Sequence, residues 1–306
     1  MKRSIQILFF LASFWAGAQT ISEIVIQNNK KTRTSFIKKI SGVQLGTPLD
    51  SLQLENDMIR LRRLPGIAHA YYQVTPKEDG TVKVVYGLEE NFTIIPSANI
   101  YTTNDDEFAY RIGLYEFNGF GQNLIFGGFY QQDIFGSFGL NFRAPFLLGN
   151  KTGIVVNYQD LTTEEPVFLE TGTADYRYNN RSVEVLGLYQ FNYRHRLEAG
   201  INYFTETYEY RSGATSPEVP QFLKVKKLLY KGIYEYNDVT RYYYFVDGFK
   251  STFNFQYVTS RNEALPEFLI GFNDFIYYKR VGNRGNWANR LRLGVATNND
   301  SPFAPF

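Results

Sequence analysis

Few side chains in this sequence are suited to acid–base, nucleophilic or metal chemistry, and their spacing argues against it. Among 306 residues there are two histidines, His69 and His195, and no cysteine. The two imidazoles lie in segments of different periodicity, so no pair of them, and no thiolate, supplies a tetrahedral ligand set. Glu89-Glu90 and Glu164-Glu165 are adjacent carboxylates. In an extended chain neighbours project to opposite faces, so neither pair shares a proton as an acid/base couple does. A serine hydrolase needs its nucleophile beside a histidine, and His195 falls in a short turn, Tyr193-Arg194-His195-Arg196. The expectation is a protein with no catalysis, no cofactor and no metal. Nucleic acid is excluded as a partner on charge: the formal net charge is +2 and there is no long run of one sign.

The elements that position these residues begin with an export signal. Lys2 and Arg3 precede an apolar run from Ile5 to Trp15, closed by the small residues Ala16-Gly17-Ala18. The run falls well short of the roughly twenty residues of a spanning helix, so residues 1–18 read as a secretory signal peptide cut between Ala18 and Gln19. An exported chain without cysteine has no disulfide framework, so burial or sheet closure must stabilise it.

Residues 19–91 read as a small α/β domain. Ile24 and Ile26 alternate with Glu23 and Val25, and the run Asn28 to Thr32 breaks the pattern. Phe36, Ile37 and Ile40 then follow at helical spacing up to Gly42. Asp50 or Ser51 caps a second helix with the stripe Leu54, Met58 and Leu61, ended by Pro65-Gly66. Two strands follow: Ala68, Ala70, Tyr72 and Val74 share one face, and Val82, Val84, Tyr86 and Leu88 another, across the turn Glu78-Asp79-Gly80. The order is β-α-α-β-β. It resembles a POTRA domain, down to the initial I-x-I-x-x-N, Thr32-Arg33 before the first helix, the run Leu54–Leu64 and the closing Leu88-Glu89-Glu90.

From residue 92 to 306 the period is two. Tyr110, Ile112 and Leu114 oppose Arg111 and Gly113; Phe138, Leu140 and Phe142 oppose Asn141 and Arg143; Phe253, Phe255 and Tyr257 oppose Asn254 and Gln256. Segments of about ten residues with one apolar and one polar face fit lipid outside and a wet lumen inside a membrane β-barrel. The 24 tyrosines and 27 phenylalanines fit the aromatic girdles of such barrels. We read eleven strands, at 95–103, 107–117, 122–131, 136–146, 152–162, 180–192, 197–210, 226–237, 248–260, 267–280 and 286–297. Short links, including the one with His195, fall on the periplasmic side, and longer ones such as 211–225 fall outside.

The turns carry a second resemblance. Phe117-Asn118-Gly119-Phe120-Gly121-Gln122 is similar to the N-F-L-G-x-G turn of the outer-membrane assembly and two-partner-secretion superfamily, of BamA/TamA type. The stretch Phe142 to Gly149, with Pro145, is similar to its D-P-Y-L-F-G strand end. A periplasmic turn from Asp238 through Arg241 to Gly248 resembles its D-x-R-x-x-x-x-P-x-x-G, with Val246 in place of the proline. The resemblance implies a barrel of about sixteen strands, within the even-numbered range of such proteins. Eleven are read here, so the expectation is an incomplete transmembrane antiparallel barrel, the chain stopping at Phe306 where a V-R-G-F loop would follow Asn298.

The resemblance further implies an assembly or translocation factor in the bacterial outer membrane, its POTRA domain in the periplasm. Client or partner chains would pair with the POTRA edge strand at His69, Tyr71, Gln73 and Thr75, and with a lateral seam at Ser97, Asn99 and Tyr101. The implied partners are outer-membrane lipid, unfolded outer-membrane or secreted client proteins, and periplasmic or lipoprotein factors. The alternatives are a passive channel or two-partner-secretion pore, and a barrel hydrolase, which a periplasmic His195 disfavours.

Overall fold

The computed structural model describes residues 19–102, 108–217, 219–242, 245–260, 267–298 and 303. Ala18 of the expected cleavage site lies outside them, as does most of the segment after Asn298.

The first unit is β1 (Ile21–Gln27), α1 (Thr34–Ile40), α2 (Ser51–Arg62), β2 (Ile67–Pro76) and β3 (Val82–Glu90). The sheet order is β1-β3-β2, with β1 parallel and β2 antiparallel to β3. Both helices lay their apolar stripes on this sheet: Ile37, Ile40, Leu54 and Met58 are buried against Val82, Val84, Tyr86 and Leu88. Burying each such side chain contributes about 1.5–3 kcal/mol, and together they make the sheet one-sided. Asp50, not Ser51, caps α2, its side chain accepting from the backbone N–H groups of Leu52 and Gln53. One face assignment changes. A register irregularity between Ile67 and His69 turns Ile67 inward and leaves Ala68 exposed, whereas simple alternation places Ala68 with Ala70.

The second unit is an eleven-stranded antiparallel meander. It comprises β4 (Ile94–Thr102), β5 (Phe108–Gly119), β6 (Leu124–Gln132), β7 (Gly136–Ala144), β8 (Thr152–Leu169), β9 (Gly172–Gln190), β10 (His195–Gly213), β11 (Phe222–Tyr242), β12 (Phe245–Ser260), β13 (Phe268–Val281) and β14 (Gly285–Ala296). Each strand pairs with its sequence neighbours, and the sheet is not closed: β4 and β14 are its ends. One face exposes apolar side chains such as Ile112, Leu140, Val185, Ile201, Phe255 and Leu293. The other carries Asn141, Glu184, Glu198, Lys231 and Glu235, of which the three glutamates are buried among their neighbours. No helix among the described residues is long and apolar enough to cross a membrane, and the strands supply the apolar surface.

Two strand readings are corrected. Residues 163–179, left between the strands read at 152–162 and 180–192, are the paired ends of β8 and β9, in register from Thr163↔Tyr178 to Leu169↔Gly172. Strands β8 to β11 run to 18 to 21 residues, about twice the roughly ten that a bilayer crossing takes, and their extra length lies on the side away from the first unit. The stretch from Asp238 to Gly248 is likewise no open turn. It continues β11 and β12 as a hairpin paired from Asp238↔Phe249 to Tyr242↔Phe245.

Candidate functional site: sheet edges and the domain junction

The β2 strand lies at one edge of the three-stranded sheet, with β3 at its centre. Tyr71, Gln73 and Thr75 are exposed on its outer face and His69 is half-buried. The His69 and Tyr71 rings stack at 6.3 Å. A Cβ on Gly87 of β3 would come within 2.1 Å of the Tyr71 ring, so the glycine admits that ring against the sheet. The edge is partly engaged already: Arg62 on α2 donates from Nε and Nη2 to the Ala70 carbonyl at 2.9 and 2.7 Å. A strand added at this edge competes with Arg62 there.

The larger sheet offers two further edges. On β4, Ser97, Asn99 and Tyr101 pair inward with Gly113, Arg111 and Ala109 of β5. Ser97 and Asn99 are exposed and Tyr101 half-buried. Pro96 sits on this strand, a position compatible with an edge because proline donates no ladder bond. At the far end β14 pairs only with β13, and Trp287, Leu291, Leu293 and Val295 are exposed.

The family-type turns do something the sequence does not announce: they fasten the first unit to the sheet. The Asn118 side chain is buried, donates to Thr32 Oγ1 at 2.9 Å and accepts from the Asn123 N–H at 2.9 Å. Gly121, with φ of +67°, accepts from the Arg33 N–H at 2.9 Å. A Cβ on Gly121 would sit 2.2 Å from the Lys31 carbonyl oxygen. Gly119 admits the Phe126 ring in the same way, a Cβ there falling 2.3 Å from it. Lys31 pairs with Glu116 at 2.9 Å. On the first unit's side, Glu90 holds the same segment, accepting from the N–H groups of Lys30, Lys31 and Thr32 at 3.0, 2.8 and 2.6 Å. Burial pushes the Glu90 carboxyl up, but these hydrogen bonds outweigh it and hold its pKa below the ordinary value.

The link 145–151 makes a second fastening. Phe146 is only 8% exposed and belongs to the core of the first unit, its ring 5.9 Å from that of Phe36. Lys39 donates to the Phe146 carbonyl. Pro145 lines the cavity beside it, and Gly149 closes the turn with open space around it. A third contact comes from Arg63 after α2, which donates to the carbonyls of Tyr193 and Val239 and lies over the Tyr193 ring. In the hairpin, Gly248 has φ of +120°, and a Cβ there would meet the Asp238 carbonyl oxygen at 2.1 Å. Asp238 pairs with Arg194 at 2.7 Å, and Arg241 lines the same cavity as Arg63 and Pro145. Arg63, Phe146 and Glu90 lie in stretches that carry the family resemblance, but their part in the junction was not legible in sequence; a basic helix end, an aromatic after proline and a terminal carboxylate carry no periodic signal.

His195 accompanies these turns without a second histidine. Its Nδ1 lies 2.6 Å from Tyr234 Oη and its ring packs on Tyr236, in a different unit from His69. No group of three His, Cys, Asp or Glu among the described residues is placed to hold a metal. The inner face is a polar network: Asn141 donates to Asn157, and Asn157 and Lys231 each reach Glu184 at 2.8 Å.

Comparison with known proteins agrees with this architecture. Residues 19–91 match the POTRA family model, described as a surface antigen variable number repeat. No curated protein matches the chain. Among solved structures it is similar to BamA from Haemophilus ducreyi lacking POTRA domains 1-3, with TM-score 0.57 and 14% identity over 91% of this chain and 55% of that one. It is also similar to CdiB from Acinetobacter baumannii (TM-score 0.58, 13% identity, 93% and 54% covered) and CdiB from Escherichia coli (0.59, 10%, 92% and 55%). The chain spans about half the length of these structures. At such identities the likeness is one of fold: a POTRA domain followed by a wall of the BamA and CdiB barrel type.

Proposed function

We propose that this chain is part of an outer-membrane assembly or translocation factor. It is exported by cleavage after Ala18, carries its POTRA domain (residues 19–91) in the periplasm, and inserts or exports client chains by strand pairing without catalysis or cofactor. The observation that supports this reading is the combination of an antiparallel sheet with one exposed apolar face and a POTRA domain fastened to its turns at Gly121 and Phe146. A docking module held at a fixed place delivers an extended segment to a fixed edge, and edge strands bind through backbone groups with little demand on sequence. Clients would meet β2 first, along Tyr71, Gln73 and Thr75, and then the β4 edge at Ser97, Asn99 and Tyr101. Outer-membrane lipid bathes the apolar face, and periplasmic or lipoprotein factors are further partners of the POTRA surface.

The test is proline placement. Val74→Pro removes a donor from the free side of β2, because the Ala70 carbonyl that Arg62 takes puts the backbone of Ala70, Tyr72 and Val74 on that side while Tyr71 and Gln73 face β3. It is expected to weaken client crosslinking at least tenfold while the domain stays folded. Lys83→Pro, in central β3, is expected to unfold the domain. If Val74→Pro crosslinks clients as the parent does, β2 is not the docking edge. A channel is the second reading, favoured by the polar network around Glu184. Steady conductance in bilayers without client would support it.

A further inference from the structure

A cavity of about 310 Å³ opens at the periplasmic end of the inner face, between the end of α2 and strands β6, β7, β10, β11, β12 and β13. Its lining is unusually basic. Arg143 and Arg196 share Glu198, and Arg196 and Lys250 share Glu235, at 3.2 Å or less. Arg194 takes Asp238 at 2.7 Å. Beyond these, Arg60, Arg63 and Arg241 enter the lining with no ion pair to a carboxylate among the described residues: Arg60 donates to the Ile40 carbonyl, and Arg63 to the carbonyls of Tyr193 and Val239. Seven cationic side chains thus face three carboxylates.

We propose that this junction cavity is an oxyanion site that takes a phosphate group. Cations gathered in a recess with low-dielectric walls repel one another, and the arrangement is relieved by an anion that arrives from outside. Burial depresses the affinity of the Arg63 guanidinium for its proton, and the Asp238 charge opposes this without cancelling it, so Arg63 gains from an added anion. Phosphate is favoured over carboxylate by geometry. Guanidinium forks suit phosphate oxygens, and here they come from α2, from the Tyr193–Arg196 turn and from the hairpin, three directions that a planar carboxylate does not fill. The excess of positive charge also exceeds what one carboxylate neutralises. The group comes either as free phosphate or as the headgroup of a membrane phospholipid, since the cavity sits where the wall leaves the bilayer.

The test uses the full-length protein purified in a zwitterion-free detergent, titrated with inorganic phosphate and, separately, with dihexanoyl phosphatidylglycerol, with binding followed by calorimetry and by phosphorus NMR line width. Saturable binding of either is expected; preference for the lipid identifies a headgroup site, and equal or better binding of inorganic phosphate identifies a free-anion site. Arg241→Gln, on an exposed side chain of the hairpin, is expected to weaken binding at least threefold, and Arg63→Gln with Arg241→Gln at least tenfold. Arg177→Gln, which pairs with Glu209 away from the cavity, is expected to leave it unchanged. Equal affinity in the parent and Arg241→Gln proteins, or failure of both phosphates while an octaglutamate peptide or acetate binds, would overturn the proposal.

Discussion

Asp57 is 1% exposed in the POTRA core and is the hub of a buried hydrogen-bond network. It accepts from Ser41 Oγ at 2.6 Å, Tyr86 Oη at 2.8 Å, the Gly42 N–H at 2.8 Å and Gln53 Nε2 at 3.2 Å. Removing an acceptor strands its donors away from water, which costs more than the bonds contributed, so Asp57→Ala is expected to destabilise the domain by about 3–5 kcal/mol. Hydrogen exchange of the full chain should show residues 41–43 opening at least a hundredfold more readily, and Tyr86→Phe, which removes one donor of several, should cost about 1 kcal/mol. Glu90 offers a pH test. Its folded pKa lies below the ordinary value of 4.5, so its stabilisation is complete above that value and is lost as pH falls through the lower folded value. Exchange of the Lys30–Thr32 amides is expected to accelerate, beyond the intrinsic rate, only as pH falls below the ordinary carboxyl value of 4.5, and in Glu90→Gln to be fast already at neutral pH with no such step.

At the scale of elements, backbone geometry at the junction separates two effects of one substitution. Gly80 and Gly121 both have left-handed φ, +79° and +67°, but a Cβ on Gly80 meets nothing within 4 Å whereas one on Gly121 meets Lys31 and Arg33. Both alanine variants bear the left-handed cost of about 1–3 kcal/mol. Only Gly121→Ala is expected to part the POTRA domain from the sheet, read as faster proteolysis of the link at residues 91–93. Equal proteolysis of the two variants would mean the contact does not hold the domains together. The alternating strands and the β-α-α-β-β order were legible because local periodicity writes them: Ile112, Leu140 and Phe255 appear on one face in sequence and in space. The β8–β9 extension was hidden because Pro166 after two glutamates reads as a turn. The junction was hidden for another reason. Lys31 meets Glu116 across 85 residues and Arg63 meets Val239 across 176, and no local pattern encodes a contact of that span. The glycines of the turn gave a family resemblance without revealing that Gly121 is small so that another domain can approach.

At the scale of the molecule, the question is what satisfies the two ends of the large sheet. Strands β4 and β14 pair on one side only, over nine and twelve residues. In hydrocarbon each unpaired N–H or C=O costs several kcal/mol, so an edge of this length cannot stand bare against lipid. Three arrangements relieve it: closure of β4 on β14, strands supplied by other polypeptide, or transient pairing with a client. Direct closure gives an eleven-stranded barrel, an odd number that single-chain bacterial barrels avoid, and the described sheet leaves its ends apart. The expected outcome is therefore that residues 19–306 refolded alone in detergent give no compact, protease-resistant monomer whose gel mobility changes on boiling. Supplying an amphipathic peptide that alternates apolar and polar residues over about ten positions, the length of one crossing, should protect β4 from proteolysis if that edge is the receptive one. A discrete heat-modifiable monomer without peptide would show that β4 and β14 close on each other, and the seam would then be a paired wall that has to open before any client strand can enter.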